Sequence, residues 1–200
     1  EAIGSYQKVI GDPAGGLFAP QSKVALGHLS LNAGKLQEAL TQFEEVIVGQ
    51  HTPKVRGEAA LHAAITATKL GKNADADRYL ALILRTPSME EFRVDAKTAM
   101  MGNHFAKKEY KEVIAVFRAS TIKATGDKEA ARLMFAARAH MRLKQPSEAL
   151  VLFREVERLV KPETDMAFQA AYYRLLCFFQ IEGRHVPDQV DAFLQLYQKA

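Results

Sequence analysis

In LQEALTQFEEVI (36–47) the apolar residues Ala39, Phe43 and Val46 are separated by steps of four and three, with Gln, Glu and Thr between them. Such steps place side chains on one face of an α-helix. The pattern returns in EAIGSYQKVI (1–10), ADADRYLALI (74–83), YKEVIAVFRAS (110–120) and PSEALVLFREV (146–156). Aligned on the small residue, the five stretches start from Ala2, Ala39, Ala76, Val113 and Ala149, spaced by 37, 37, 37 and 36 residues. Four positions on come Tyr6, Phe43, Leu80, Phe117 and Phe153. Three further come Val9, Val46, Ile83 and Val156, with Ser120 in the fourth stretch.

A second periodic segment precedes each stretch after the first, with Gly27, Ala64, Met101 and Ala137 twelve residues before the small position. The connectors are NAGKL (32–36), KLGKN (69–73), AKKEY (106–110) and RLKQP (142–146). Gly34 and Gly71 suit helix C-termini, where a left-handed residue costs little without a Cβ. Pro146 suits a first helical turn, where no N–H is needed. Pro13, Pro53, Pro87 and Pro162 recur between repeats, and Thr52-Pro53 and Thr86-Pro87 read as an N-cap followed by Pro. No segment alternates with period two over a useful length, so no strand is expected. The reading is all-α, with eleven helices: an orphan second helix with its loop (1–19), then hairpins at 20–53, 54–88, 89–125, 126–162 and 163–200. The last carries the insertion GRHVPDQ (183–189), and its small position is Val190, 41 residues after Ala149. No hairpin can bury its apolar face alone, whereas stacked hairpins can.

LGHLSLNAGKLQEALTQF (26–43) and, more loosely, FAARAHMRLKQPSEALVLF (135–153) resemble the tetratricopeptide repeat: a small residue in the first helix, Gly after it, E-A-[IL], then an aromatic. The resemblance implies a right-handed superhelical solenoid whose first helices line a concave side. The chain departs from the pattern in lacking Trp and in its period of about 37 against the family's 34. That difference calls for an extra turn in the first helix or a longer loop. T-P at the boundary with this period looks like envelope-associated bacterial versions.

Composition adds constraints. No apolar run approaches the roughly 18–20 residues of a membrane span. The formal charge of +4 is spread among acids, as in REVERLVK (154–161), which argues against a nucleic-acid face. The chain starts within a repeat and without an initiator Met, so it is expected to be part of a longer one, and its own compartment stays undecided. Cys177 is the sole cysteine, in the apolar run YYRLLCFFQ, and reads as a buried small hydrophobe.

A catalytic constellation is not found. HExxH and GxxxxGK[ST] do not occur, and GDPAGG (11–16) and ATGDK (124–128) read as turns. Glu44–Glu45 and Glu90–Glu91 are sequence neighbours and point about 100° apart on a helix. His104 and His140 share one repeat position, and His28 and His62 lie on other faces of first helices. Equivalent positions in units stacked roughly 10 Å apart are poor co-ligands for an ion that needs nitrogens at about 2.0–2.1 Å. No metal and no cofactor are therefore expected.

What is left is a surface. The resemblance implies that Val24, His28, Leu31 and Asn32, then Leu61, Ile65 and Thr68, then Thr98, Gly102 and Phe105, then Met134, Arg138, Met141 and Arg142, then Tyr173 and Cys177 face inward. Arg138 and Arg142 are four apart, hence on one face, and can fork onto a carboxylate. The family's Lys/Asn clamp for a C-terminal carboxylate is absent, since its positions hold Val24 and His28, then Leu61 and Ile65. The expected role is a non-enzymatic scaffold that binds a protein, peptide or helix in this groove. The alternative is assembly through the end helices, with Ile3, Tyr6 and Val9 at one end and Val190, Phe193, Leu194 and Tyr197 at the other.

Overall fold

Three of the five small-then-large steps in the sequence become fully packed seams, while Phe117 is half-buried and Tyr6 is exposed. In the computed structural model, Ala39, Phe43 and Val46, Ala76, Leu80 and Ile83, and Ala149, Phe153 and Val156 are all 0% exposed. The structure describes residues 2–12, 16, 18–120, 124–183 and 187–197. Pro13, residues 184–186 of the insertion and the side chains of Ala2, Leu196 and Tyr197 lie outside that description.

Eleven α-helices cover most of the described residues. They are α1 (Ala2–Gly11), α2 (Ala19–Asn32), α3 (Leu36–Val48), α4 (Pro53–Lys69), α5 (Asn73–Arg85), α6 (Arg93–Ala106), α7 (Tyr110–Arg118), α8 (Gly126–Arg142), α9 (Pro146–Leu159), α10 (Asp165–Glu182) and α11 (Pro187–Tyr197). There is no strand among the described residues. The extra residues of the period go into helix rather than loop: α4 and α8 are each 17 residues long. Before α6 a 3-10 segment, Pro87–Phe92, takes them up.

Two compact units divide the chain, residues 1–106 and 107–200. The boundary falls inside the expected third hairpin, between α6 and α7. In the first unit α4 packs on α2, α3, α5 and α6, and α1 packs on α2. Its core runs from Val24 to Ala96 and is rich in alanine, which lets the helices approach closely. In the second unit α9 packs between α8 and α10, α7 packs on α8, and α11 on α10.

The turns follow one design. At the equivalent place in the four hairpin connectors sit Gly34 (φ 75°), Gly71 (74°), Lys108 (63°) and Lys144 (59°). The next amide donates back to the helix it leaves: Lys35 to Ser30, Lys72 to Ala67 and Gln145 to His140, at 2.8, 2.8 and 3.0 Å. The Nδ1 of buried His140 braces the last of these turns, 2.8 Å from Gln145 Oε1. A left-handed conformation is strained for a residue with a Cβ. Lys144→Gly is therefore expected to stabilise the protein by about 0.5–1 kcal/mol, net of the glycine's extra freedom when unfolded. A rise in the urea midpoint with unchanged slope is the readout.

Thr52 and Thr86 hold the expected N-cap positions before Pro53 and Pro87, but neither caps through its side chain. Pro53 does open α4. Thr86 precedes the 3-10 segment, and its hydroxyl donates back to the Leu82 carbonyl at 2.6 Å. The capping threonine is Thr164, whose Oγ1 accepts from Ala167 N at 3.2 Å.

Candidate functional site

The second unit brings together a group of the residues expected to face inward. Along α8, Met134, Arg138, Met141 and Arg142 recur at steps of four, three and one and share one side of the helix. Facing them on α10, Tyr173, Leu176 and Gln180 recur at steps of three and four. Arg138, Met141, Arg142, Tyr173, Leu176 and Gln180 line a cleft of about 230 Å³. A second cleft, of about 410 Å³, lies between Ala131, Met134, Phe135 and Arg138 of α8 and Thr164, Asp165, Met166 and Gln169 at the start of α10. Arg138 belongs to both.

Tyr173 anchors this surface. Its ring stacks on buried Phe153 at 5.5 Å and 14°, and the Arg138 guanidinium lies 5.7 Å from its centroid. That contact orients the cation over an aromatic face. Three arginines of the unit pair with acids: Arg132 with Glu129 at 2.6 Å, Arg158 with Glu155 at 2.5 Å and Arg174 with Glu157 at 2.9 Å. Arg142 is exposed, and among the described residues no ion pair engages it. The arrangement offers methionine and aromatic surface beside a pair of guanidinium groups, which suits a partner carrying both apolar and acidic groups.

The residues of the first unit expected to face inward are more dispersed in role. Val24 and Leu61 belong to the core, 4% and 8% exposed, and Met134 in the second unit is 7% exposed. Leu31 and Ile65 are half-buried against the core, while Asn32 is exposed at the end of α2. Thr98 spends its hydroxyl on the Val94 carbonyl at 3.0 Å. Gly102 and Phe105 are half-buried. Cys177 is fully buried, which pushes its thiol up to about 11, so at neutral pH it is a packed thiol.

Two clusters escape a reading based on repeat phase. Thr68 lies 3.2 Å from Asn103 Oδ1, while Asn103 Nδ2 donates to the Asn73 carbonyl at 3.1 Å and Asp77 Oδ1 at 2.6 Å. Asn103 is 0% exposed, so this network joins α4, α5 and α6 inside the first unit. The signal in sequence is a lone asparagine in the apolar turn MMGNHF (100–105).

The other cluster is His28, Glu58 and His62. The two imidazoles meet edge to face with centroids 4.1 Å apart, and both border Phe43, at 5.5 and 5.7 Å. His28 follows Gly27 by one residue, whereas His62 precedes Ala64 by two, so the pair is out of phase by about one turn. Equivalent positions are held apart by the spacing of the helix axes, but these two are not equivalent. Their side chains point at each other and span the gap. Burial, then the neighbouring His28, lowers the His62 pKa to about 4 against an opposing pull from Asp95.

No family model matches the chain, nor does any curated protein or solved structure. Among the described residues no helix is long and apolar enough to cross a membrane.

Proposed function

We propose that the chain is a tetratricopeptide-like array of helical hairpins, of right-handed superhelical sense, that binds another protein and catalyses no reaction. The partner segment is an acidic amphipathic helix or extended peptide. The observation that carries this reading is the α8–α10 cleft, where Met141, Tyr173 and Leu176 adjoin Arg138 and Arg142. Apolar side chains there supply area, and the guanidinium pair supplies orientation and charge selectivity.

The test pans a random-peptide display library against the whole chain. Enriched sequences are expected to combine Asp or Glu with aromatic or aliphatic residues. Their affinity, read by fluorescence anisotropy, should fall about 10-fold or more in Arg142→Glu and further in Arg138→Glu/Arg142→Glu, since close charge pairs couple by more than 1 kcal/mol. Arg142 is the cleaner site because it is exposed and Arg138 also packs on Tyr173. No enrichment, or equal affinity for all three proteins, overturns the reading.

A second reading is favoured by the ends. Ile3 and Tyr6 on α1 are 54% and 36% exposed, and Leu194 on α11 is 47% exposed. Self-association through these helices predicts a scattering mass that grows with concentration and reverts in Ile3→Glu/Leu194→Glu. A strict monomer excludes it.

A further inference from the structure

We propose that His28, Glu58 and His62 form a binding site for one divalent transition-metal ion of the zinc type, tying α2 to α4. Glu58 and His62 are four residues apart on α4, so they project from the same side one turn apart. His28 reaches them from α2. One ligand atom from each residue lies within 4.8 Å of the other two. His28 Nε2 and Glu58 Oε1 are 3.7 Å apart, too far for a hydrogen bond. Among the described residues no hydrogen bond joins any two of the three. Polar atoms that converge without satisfying one another leave room for a common partner.

The geometry suits that partner. Ligands about 2.0–2.1 Å from a tetrahedral ion lie about 3.4 Å from each other. His28 Nε2 and Glu58 Oε1 are already near that separation, and rotation of the part-exposed Glu58 side chain can close the difference. Two imidazoles and a carboxylate are a borderline donor set, favouring zinc, cobalt, nickel or copper over magnesium or calcium, which take oxygen ligands. Phe43 walls the inner side of both rings, and Gly27 admits that wall: a Cβ there would sit 2.5 Å from the Phe43 ring. His28 and Glu58 side chains are 34% and 43% exposed, which gives the ion its entry path and leaves a coordination position open to solvent.

The experiment uses the full chain without a histidine tag, stripped with chelator and titrated with cobalt chloride. One equivalent is expected to give a visible ligand-field band, which zinc then abolishes. With free zinc about 100-fold above its dissociation constant, Tm should rise by about 5–10 °C. Magnesium chloride should give neither effect. Glu58→Gln is expected to weaken cobalt binding at least 10-fold, and His28→Gln or His62→Gln to remove the band. Circular dichroism checks the fold of each variant. If His62→Gln unfolds, His28→Gln and Glu58→Gln decide the outcome, because their side chains are part-exposed. No band in the wild-type protein, a band that survives in His28→Gln/Glu58→Gln, or an equal response to magnesium overturns the proposal. Peptide affinity at the α8–α10 cleft is a separate readout, so either proposal can fail without the other.

Discussion

Asn103→Leu is expected to lower the stability of the protein by about 3 kcal/mol. Leucine keeps asparagine's branched skeleton but is bulkier, so overpacking in this enclosed site adds about 1 kcal/mol to the loss. The larger part lies in what Asn103 leaves behind. Asp77 loses a donor at 2.6 Å and the Asn73 carbonyl loses one at 3.1 Å. A hydrogen bond to a charged acceptor is worth about 1.5–3 kcal/mol, and the Asn73 carbonyl, in the first turn of α5, keeps its helical partner and loses a second bond worth about 0.5–1.5. Replacing a buried amide by an apolar group returns roughly 1–2 of that. Thr68 is affected least, because its hydroxyl also reaches the Ala64 carbonyl at 3.0 Å. Thr68→Val should accordingly cost about 1 kcal/mol or less. Urea unfolding followed by circular dichroism gives the ranking, and hydrogen exchange should show protection lost first around α4, α5 and α6. A loss under about 1 kcal/mol for Asn103→Leu would mean that water reaches Asp77 and Asn73 and replaces the amide.

The contrast between that network and the seams shows what a sequence encodes openly. Ala39, Phe43 and Val46 declare their burial by period, because a helix that buries one face must repeat its apolar residues every three or four positions. The hairpin count follows from the same rule. Turn positions are legible where glycine marks them, at 34 and 71, and silent where lysine takes the same left-handed conformation, at 108 and 144. Thr52-Pro53 shows the limit of local motifs: the proline sets the helix start, while the threonine hydroxyl makes no cap. The division between α6 and α7 has no such marker, since it depends on which neighbours each helix finds.

The candidate surface was legible in part for a similar reason. Repeat phase identifies the side of a helix that faces its neighbours. Whether a residue there is floor or core depends on how closely the next helix approaches. Alanines at 60, 63, 64 and 67 bring the neighbours of α4 near enough to bury Leu61. Around α8 and α10 the bulk of Met141, Tyr173 and Leu176 goes with an open cleft. The histidine pair was hidden because repeat phase relates equivalent positions, and His28 and His62 are not equivalent.

Phe43→Ala is expected to be the most damaging single change in the first unit, at about 4 kcal/mol. The ring is 0% exposed and touches Gly27, His28 and His62. Truncating a buried Phe removes transfer energy and leaves a cavity, and the total depends on how far the neighbours can collapse. Here collapse is limited on the α2 side, because Gly27 has no side chain to move inward. The same contact fixes the sign of a second substitution. Gly27→Ala in the wild-type protein adds a Cβ 2.5 Å from a ring that is itself enclosed, an overpacking cost of about 1–3 kcal/mol. Helix propensity returns about 1, so the single change should be neutral to destabilising. In the Phe43→Ala background the ring is gone, the propensity gain remains, and Gly27→Ala should stabilise by about 1 kcal/mol. The double-mutant cycle over these two positions should therefore show a coupling of about 1–3 kcal/mol, read from urea midpoints at constant slope. Additive effects would mean that α2 shifts as a body to admit the methyl group, and that the close approach of Phe43 to Gly27 does not set the spacing of α2 and α3.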